Sequence, residues 1–78
     1  MDKRKFLSHF LSPVQKLQRD TIGTGIIFWV HTRKDNSISI FVSISKDEVT
    51  FQSFNFYTFY DEERNKRTLD DLKDYLNS

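Results

Sequence analysis

The residues of this 78-residue chain whose types could do chemistry are not spaced as in any recognisable site. The two histidines, His9 and His31, have no cysteine to complement them, so a zinc site would need carboxylates brought together by the fold. His31 beside Ser39 across a hairpin would pair a base with a hydroxyl. Nucleophilic catalysis also needs an orienting group and an oxyanion hole, and the sequence shows no pattern for either. We therefore expect neither a metal site nor a nucleophilic catalytic site at these residues.

Two further short segments carry groups used in catalysis or phosphate binding. The carboxylate run at 61–63 lies in a stretch without apolar residues, whereas acid-base catalysis needs a pocket that gives two carboxyls different roles. Gly23 and Gly25 precede a predicted strand, whereas a phosphate-binding loop has more glycines and leads into a helix. We expect a protein that is not an enzyme and holds no cofactor.

The first twenty residues have helical periodicity. On a helical wheel six apolar residues fall within one arc, which predicts an amphipathic helix; they are Phe6, Leu7, Phe10, Leu11, Val14 and Leu17. Pro13 removes a helical hydrogen bond, and Ser12 before it resembles an N-cap. We therefore expect a helix over 2–11 and a short second helix that ends near residue 19.

From Ile22 the apolar residues alternate with period two, which predicts strands. Placing Val30 opposite Ile40 leaves a three-residue hairpin loop, 34–36, whose last position requires a positive φ that Asn36 tolerates. After a predicted loop at 45–48, the third strand places Val49 and Phe51 on the core face, and its alternation changes phase at Gln52 and Ser53. A bulge there, with both residues facing Phe41, would keep the later phenylalanines on the core face.

The C-terminal segment predicts a short helix. The stretch 61–67 is polar and is expected to be a solvated connector. Thr68 and Asp71 resemble a capping box, and the following leucines form an apolar stripe. The predicted fold is α+β, a three-stranded antiparallel meander with an N-terminal and a C-terminal helix (α-β-β-β-α) and a bulge in the third strand, in one domain over residues 1–78.

Cysteine usage and hydropathy give weak expectations about location. The absence of cysteine fits a reducing compartment, so a cytoplasmic protein is the default expectation. The longest apolar run, 26–30, is far shorter than the roughly 20 residues that span a bilayer. We expect no membrane span.

If both helices cover the isoleucine-rich face, the opposite sheet face carries a small aromatic group. Trp29 would lie opposite Phe41, with Ile27 and Tyr57 on the same face. Rigid aromatic surface of this kind is typical of protein interfaces. The sequence therefore favours a non-enzymatic interaction module that binds a protein partner or itself, as a possible homodimer, through this face or an open strand edge. The alternative left open is that a helix or a second copy covers the face and makes Trp29 part of a core. The residues expected on the complete face are Ile27, Trp29, His31, Arg33, Ser39, Phe41, Ser43, Thr50, Gln52, Asn55 and Tyr57.

Basic residues suggest a second function class. Residues 1–34 carry a net charge of +5 and residues 35–78 a net charge of −4, within a total of +1. Such an asymmetry indicates either two opposite poles or two solvated helix faces. A nucleic-acid site would use the basic first helix with the sheet face; its candidate residues are Arg4, Lys5, Lys16, Arg19, Arg33 and Lys34. A third possibility is that the first helix rests on an anionic membrane with Phe6 and Phe10 inserted.

Overall fold

The computed structural model describes residues 2–21, 25–45 and 51–77. The elements are helix α1 (Lys3–Phe6), a π-helical segment (Leu7–Leu11), helix α2 (Ser12–Asp20), strands β1 (Gly25–Thr32), β2 (Ile38–Ser45) and β3 (Phe51–Tyr57), and helix α3 (Glu62–Asn77). The strands form one antiparallel sheet in the order β1-β2-β3. The predicted α+β architecture is confirmed. The predictions for Ile22, for the loop after β2, for Val49 and for Thr50 lie outside the described residues.

The first helix, defined here as residues 3–20, runs without the break predicted at Ser12. Ser12 has helical backbone angles and does not cap a second helix; its N–H donates to the Leu7 carbonyl, five residues back. Pro13 has no N–H, and its ring would crowd the carbonyl of His9 in a regular α-helix. A single widened turn accommodates the proline, so the helix continues through it.

The β1–β2 hairpin has the predicted register. Val30 pairs with Ile40, and Trp29 pairs with Phe41. Asn36 has φ 68°, in the left-handed region that asparagine tolerates better than most residues. Asp35 stabilises the turn, because its Oδ1 accepts hydrogen bonds from the Ser37 N–H at 2.9 Å and from the Ser37 hydroxyl at 2.6 Å. These two bonds lower the pKa of the Asp35 carboxyl.

The third strand contradicts the predicted bulge. Pairing with β2 is continuous over its whole length, with Phe54 opposite Val42 and Phe56 opposite Ile40. Gln52 therefore lies on the core-side face, and Phe51 lies on the other face with 67% of its surface exposed. The prediction was wrong because it required Phe51 to be buried.

Helix α3 begins six residues earlier than Thr68, the predicted cap. Asp61 caps it instead, since its Oδ1 accepts a hydrogen bond from the Arg64 N–H at 2.7 Å. Glu62 and Glu63 then occupy the first turn, where negative charge is favourable to the helix dipole. The polar stretch is thus the exposed first part of a helix and not a connector.

The core lies between the sheet and the helices. Phe6, Phe10 and Val14 of the first helix are almost completely buried, and the Phe10 ring stacks on Phe56 at 5.6 Å between centroids. Leu69 and Leu72 bring α3 against the same face. Because Phe6 and Phe10 are core residues, they are not available for membrane insertion. Among the described residues, no helix combines the length and the apolar character that crossing a bilayer requires.

Candidate functional site: the outer face and edges of the sheet

The helices lie on one face of the sheet and leave the other face, called here the outer face, uncovered by any described helix. Three of the four predicted protein-binding residues are well exposed there: Ile27 (56%), Trp29 (58%) and Phe41 (41%). Tyr57, the fourth, is half-buried on the same face, where it pairs across the sheet with Ser39. The sequence-predicted residues are therefore brought together on one surface.

Aromatic rings extend this surface past the end of β3. The Phe41 ring meets Tyr57 edge-on at 6.2 Å, and Tyr57 stacks on Phe59 at 4.8 Å. Tyr60 packs against both Tyr57 and Phe59. Phe59 nevertheless keeps 58% of its surface exposed. We call Trp29, Phe41, Tyr57, Phe59 and Tyr60 the aromatic cluster.

Two arginines lie at the border of the aromatic cluster. The Arg33 guanidinium is 5.8 Å from the centre of the Phe59 ring, and the Arg64 guanidinium is 3.6 Å from the centre of the Tyr60 ring. A cation over an aromatic face is attracted by the ring quadrupole. The surface therefore combines flat rings with positive charge at one end.

The two edges of the sheet are each closed at one position by a side-chain amide. On β1, the Gln18 amide donates to the Ile26 carbonyl at 2.8 Å. On β3, Asn65 bonds both backbone groups of Tyr57: its Nδ2 donates to the carbonyl at 2.9 Å, and its Oδ1 accepts from the N–H at 3.3 Å. Asn65 is completely buried. The rest of each edge is not covered by another strand in the described part of the chain.

The predicted nucleic-acid residues do not form one surface. The first helix packs on the core face, so its exposed Arg4, Lys5, Lys16 and Arg19 belong to the helix layer, on the side of the sheet opposite to the aromatic cluster. Arg33 lies by Phe59 on the other side, and Lys34 is exposed in the hairpin loop.

Part of the charge asymmetry is neutralised within the chain. Lys5 Nζ is 3.3 Å from Glu62 Oε2, and His9 Nδ1 is 3.5 Å from Glu62 Oε1. The hydrogen bond from Lys5, together with its charge, lowers the pKa of the Glu62 carboxyl. The basic first helix and the acidic start of α3 are therefore neighbours and not opposite poles.

The two histidines lie on different elements and share no site. His31 pairs with Ser39 across the hairpin as predicted, while His9 lies on the first helix. Within ranges 2–21, 25–45 and 51–77, no three histidine or carboxylate side chains are grouped so that they could hold a metal ion. A groove between β3 and α3 holds two carboxylates, Asp71 and Asp74, beside Tyr75.

Several residues of this surface were missed from the sequence. The sequence pattern places Phe51 in the core and places Arg64, like the buried Asn65 at the sheet edge, in a connector. The alternation of Phe51, Ser53, Asn55 and Tyr57 was the available signal for the correct face of β3.

Comparisons of this chain with protein-family models, with curated proteins and with solved structures found no match, so its function is inferred from its own residues.

Proposed function

We propose that this protein is a small non-enzymatic interaction module that binds a protein partner or a second copy of itself through the outer face or an open strand edge. The observation that carries the proposal is the exposure of Ile27, Trp29 and Phe41 on one face of the sheet. An exposed apolar patch on a small protein is typical of an interaction site. Tryptophan, tyrosine and phenylalanine are the residues enriched in interfaces.

The ring packing among Phe41, Tyr57 and Phe59 supports this function. Each ring of the chain Phe41, Tyr57, Phe59 packs against the next, so little side-chain freedom is lost when a partner covers them. The serines and asparagine beside the rings offer hydrogen bonds around an apolar centre. We expect the partner to present a complementary apolar group with polar surroundings.

The test compares three forms of the protein as affinity baits in an extract of the cells that make it. The double variant Trp29→Thr with Phe41→Ser removes the exposed rings, and Arg67→Gln changes an exposed residue of α3 as a matched control. We expect proteins that the wild type and Arg67→Gln retain and the double variant loses, while circular dichroism shows all three folded. Equal retention by all three forms, or unfolding of the double variant, would overturn the proposal.

A second candidate function is binding of single-stranded nucleic acid. Stacked rings beside arginine are the arrangement on which bases and phosphates bind together, and Arg33 and Arg64 occupy such positions. This function predicts that a labelled single-stranded RNA binds with an affinity that falls steeply with salt. Arg33→Gln should reduce the slope by about one unit. No change in fluorescence anisotropy at low salt would exclude this candidate.

A further inference from the structure

Strand β1 is an edge strand that is apolar on both of its faces. It contains the longest apolar run of the chain, residues 26–30. Ile27 and Trp29 are more than half exposed on the outer face, and Val30 is 45% exposed on the other face. Runs of this kind are typical of strands that are covered on both sides. The central strand β2, by contrast, is mostly buried.

The β1 edge also lacks the features with which proteins block unwanted strand pairing. Between Gly25 and Thr32 there is no proline and no lysine, arginine or carboxylate, and the pairing with β2 has no bulge. At the other edge of the sheet, on β3, the Asn65 amide bonds both backbone groups of Tyr57. β1 is the more open of the two edges, because Gln18 bonds one of its backbone groups whereas Asn65 bonds two on β3.

The hydrogen-bond pattern identifies the open positions. The Arg33 N–H donates to the Ser37 carbonyl, so the backbone groups of Arg33 point toward β2. In an antiparallel pair, every second residue has its backbone groups bonded to the neighbouring strand. The backbone groups of Phe28, Val30 and Thr32 therefore point away from β2. The backbone groups of Ile26 also point away from β2, but the Gln18 amide already bonds the Ile26 carbonyl. The open positions are symmetric about Val30.

We propose that a second copy of this chain pairs with β1 along this edge, antiparallel and with Val30 opposite Val30 of the other copy. This inference rests on the proposed function and names self-association as one form of it. Phe28 then pairs with Thr32 of the other copy, which gives about six backbone hydrogen bonds. On the outer face, Trp29 comes opposite the other copy's His31. The result is one sheet with three strands from each copy and a continuous outer face.

The surface available fits a weak dimer. Ile27, Trp29 and Val30 are each about half exposed, and pairing covers only the flanks of these side chains that face the edge, so the buried side-chain area is small. The backbone and the flanking Phe28 and His31 add to this area. Specific but weak interfaces bury less than about 1,200 Å². We therefore expect a dimer that dissociates on dilution.

Cysteine crosslinking tests the register. The natural chain has no cysteine, so an introduced one can pair only with its counterpart in another copy. In the proposed dimer the two Val30 positions are neighbours, while the two Thr32 positions are about 14 Å apart, too far for a disulfide. We expect Val30→Cys to form a disulfide-linked dimer under mild oxidation and Thr32→Cys to remain monomeric. Equal crosslinking of both variants, or of neither, would overturn the proposal.

Sedimentation equilibrium without a crosslink separates this inference from the outer-face proposal. The wild type should dimerise as its concentration rises, and Val30→Lys should stay monomeric because it places two ammonium groups at the two-fold axis. Phe41→Ser, on the central strand, should still dimerise even where it loses a partner protein. A wild type that is monomeric at every concentration, or a Val30→Lys variant that still dimerises, would contradict the inference.

Discussion

At the scale of single residues, the Asn65 side chain makes the hydrogen bonds that a neighbouring strand would make. Its amide offers one donor and one acceptor, and it bonds the carbonyl and the N–H of Tyr57 as a neighbouring strand would. Asn65 itself is completely buried, so its amide depends on Tyr57 for these two hydrogen bonds. Asn65 therefore joins α3 to the end of β3 beside the aromatic cluster.

Replacing this amide should destabilise the fold. Asn65→Ala leaves the N–H and the carbonyl of Tyr57 without their buried partner, and we expect a loss of about 2 kcal/mol in the free energy of unfolding. Asn77→Ala, at an exposed position of the same helix, is the control and should change stability little. Urea unfolding followed by circular dichroism measures both. Equal stability of the two variants would show that the amide bonds contribute nothing.

At the scale of elements, the two helices differ from their sequence patterns for different reasons. The first helix absorbs Pro13 in a widened turn because Phe6, Phe10 and Val14 all find places in the core. Helix α3 begins at Glu62 because Asp61 caps it and because an exposed helical turn needs no apolar residue. The first turns of α3 carry mostly charged side chains, so apolar periodicity does not predict that they are helical.

Two alanine substitutions distinguish the two possible starts of α3. Asp61→Ala removes the observed cap and should lower the free energy of unfolding by about 1 kcal/mol. Thr68→Ala removes the cap that the sequence suggests, but the Thr68 hydroxyl donates to the Arg64 carbonyl within the helix, so we expect little change. Chemical denaturation compares them. A larger loss for Thr68→Ala would place the start of the helix at residue 68.

The sequence was informative where one physical rule decides the structure. The apolar alternation, together with the tolerance of asparagine for a positive φ at position 36, was enough to predict the β1–β2 register. The rule that aromatic residues are buried failed for Phe51, which is exposed, and so displaced the predicted register of β3. Burial of Asn65 could not be predicted, because it depends on how α3 meets β3. Ile27, Trp29 and Phe41 were placed correctly because their face follows from the hairpin register alone, whereas the face of Gln52 depended on the register of β3.

At the scale of the whole molecule, charge and apolar surface are divided between two layers. The helix layer carries most of the charge, some of it paired between Lys5 and Glu62. The outer face has no carboxylate among its described strand residues and carries the aromatic cluster. A partner that approaches the outer face therefore meets little charge to desolvate.

The only tryptophan reports directly on this layer. Trp29 is 58% exposed, so in dilute solution acrylamide should quench its fluorescence efficiently and its emission should lie at long wavelength. Covering of the outer face or of the β1 edge should shift the emission to shorter wavelength and reduce quenching. Measurements over a series of protein concentrations provide the check. Protection of Trp29 at every dilution would contradict its exposed position in the single chain.

The side-chain amide at the end of β3 also bears on how far assembly can proceed. The proposed pairing of β1 with β1 would be two-fold and closed, so it would use the same edge of both copies and leave only the β3 edges outside. Asn65 occupies the Tyr57 end of each of these edges and so shortens the stretch to which a further chain could add. A residue that stabilises the monomer thus also acts against growth of the sheet into a filament.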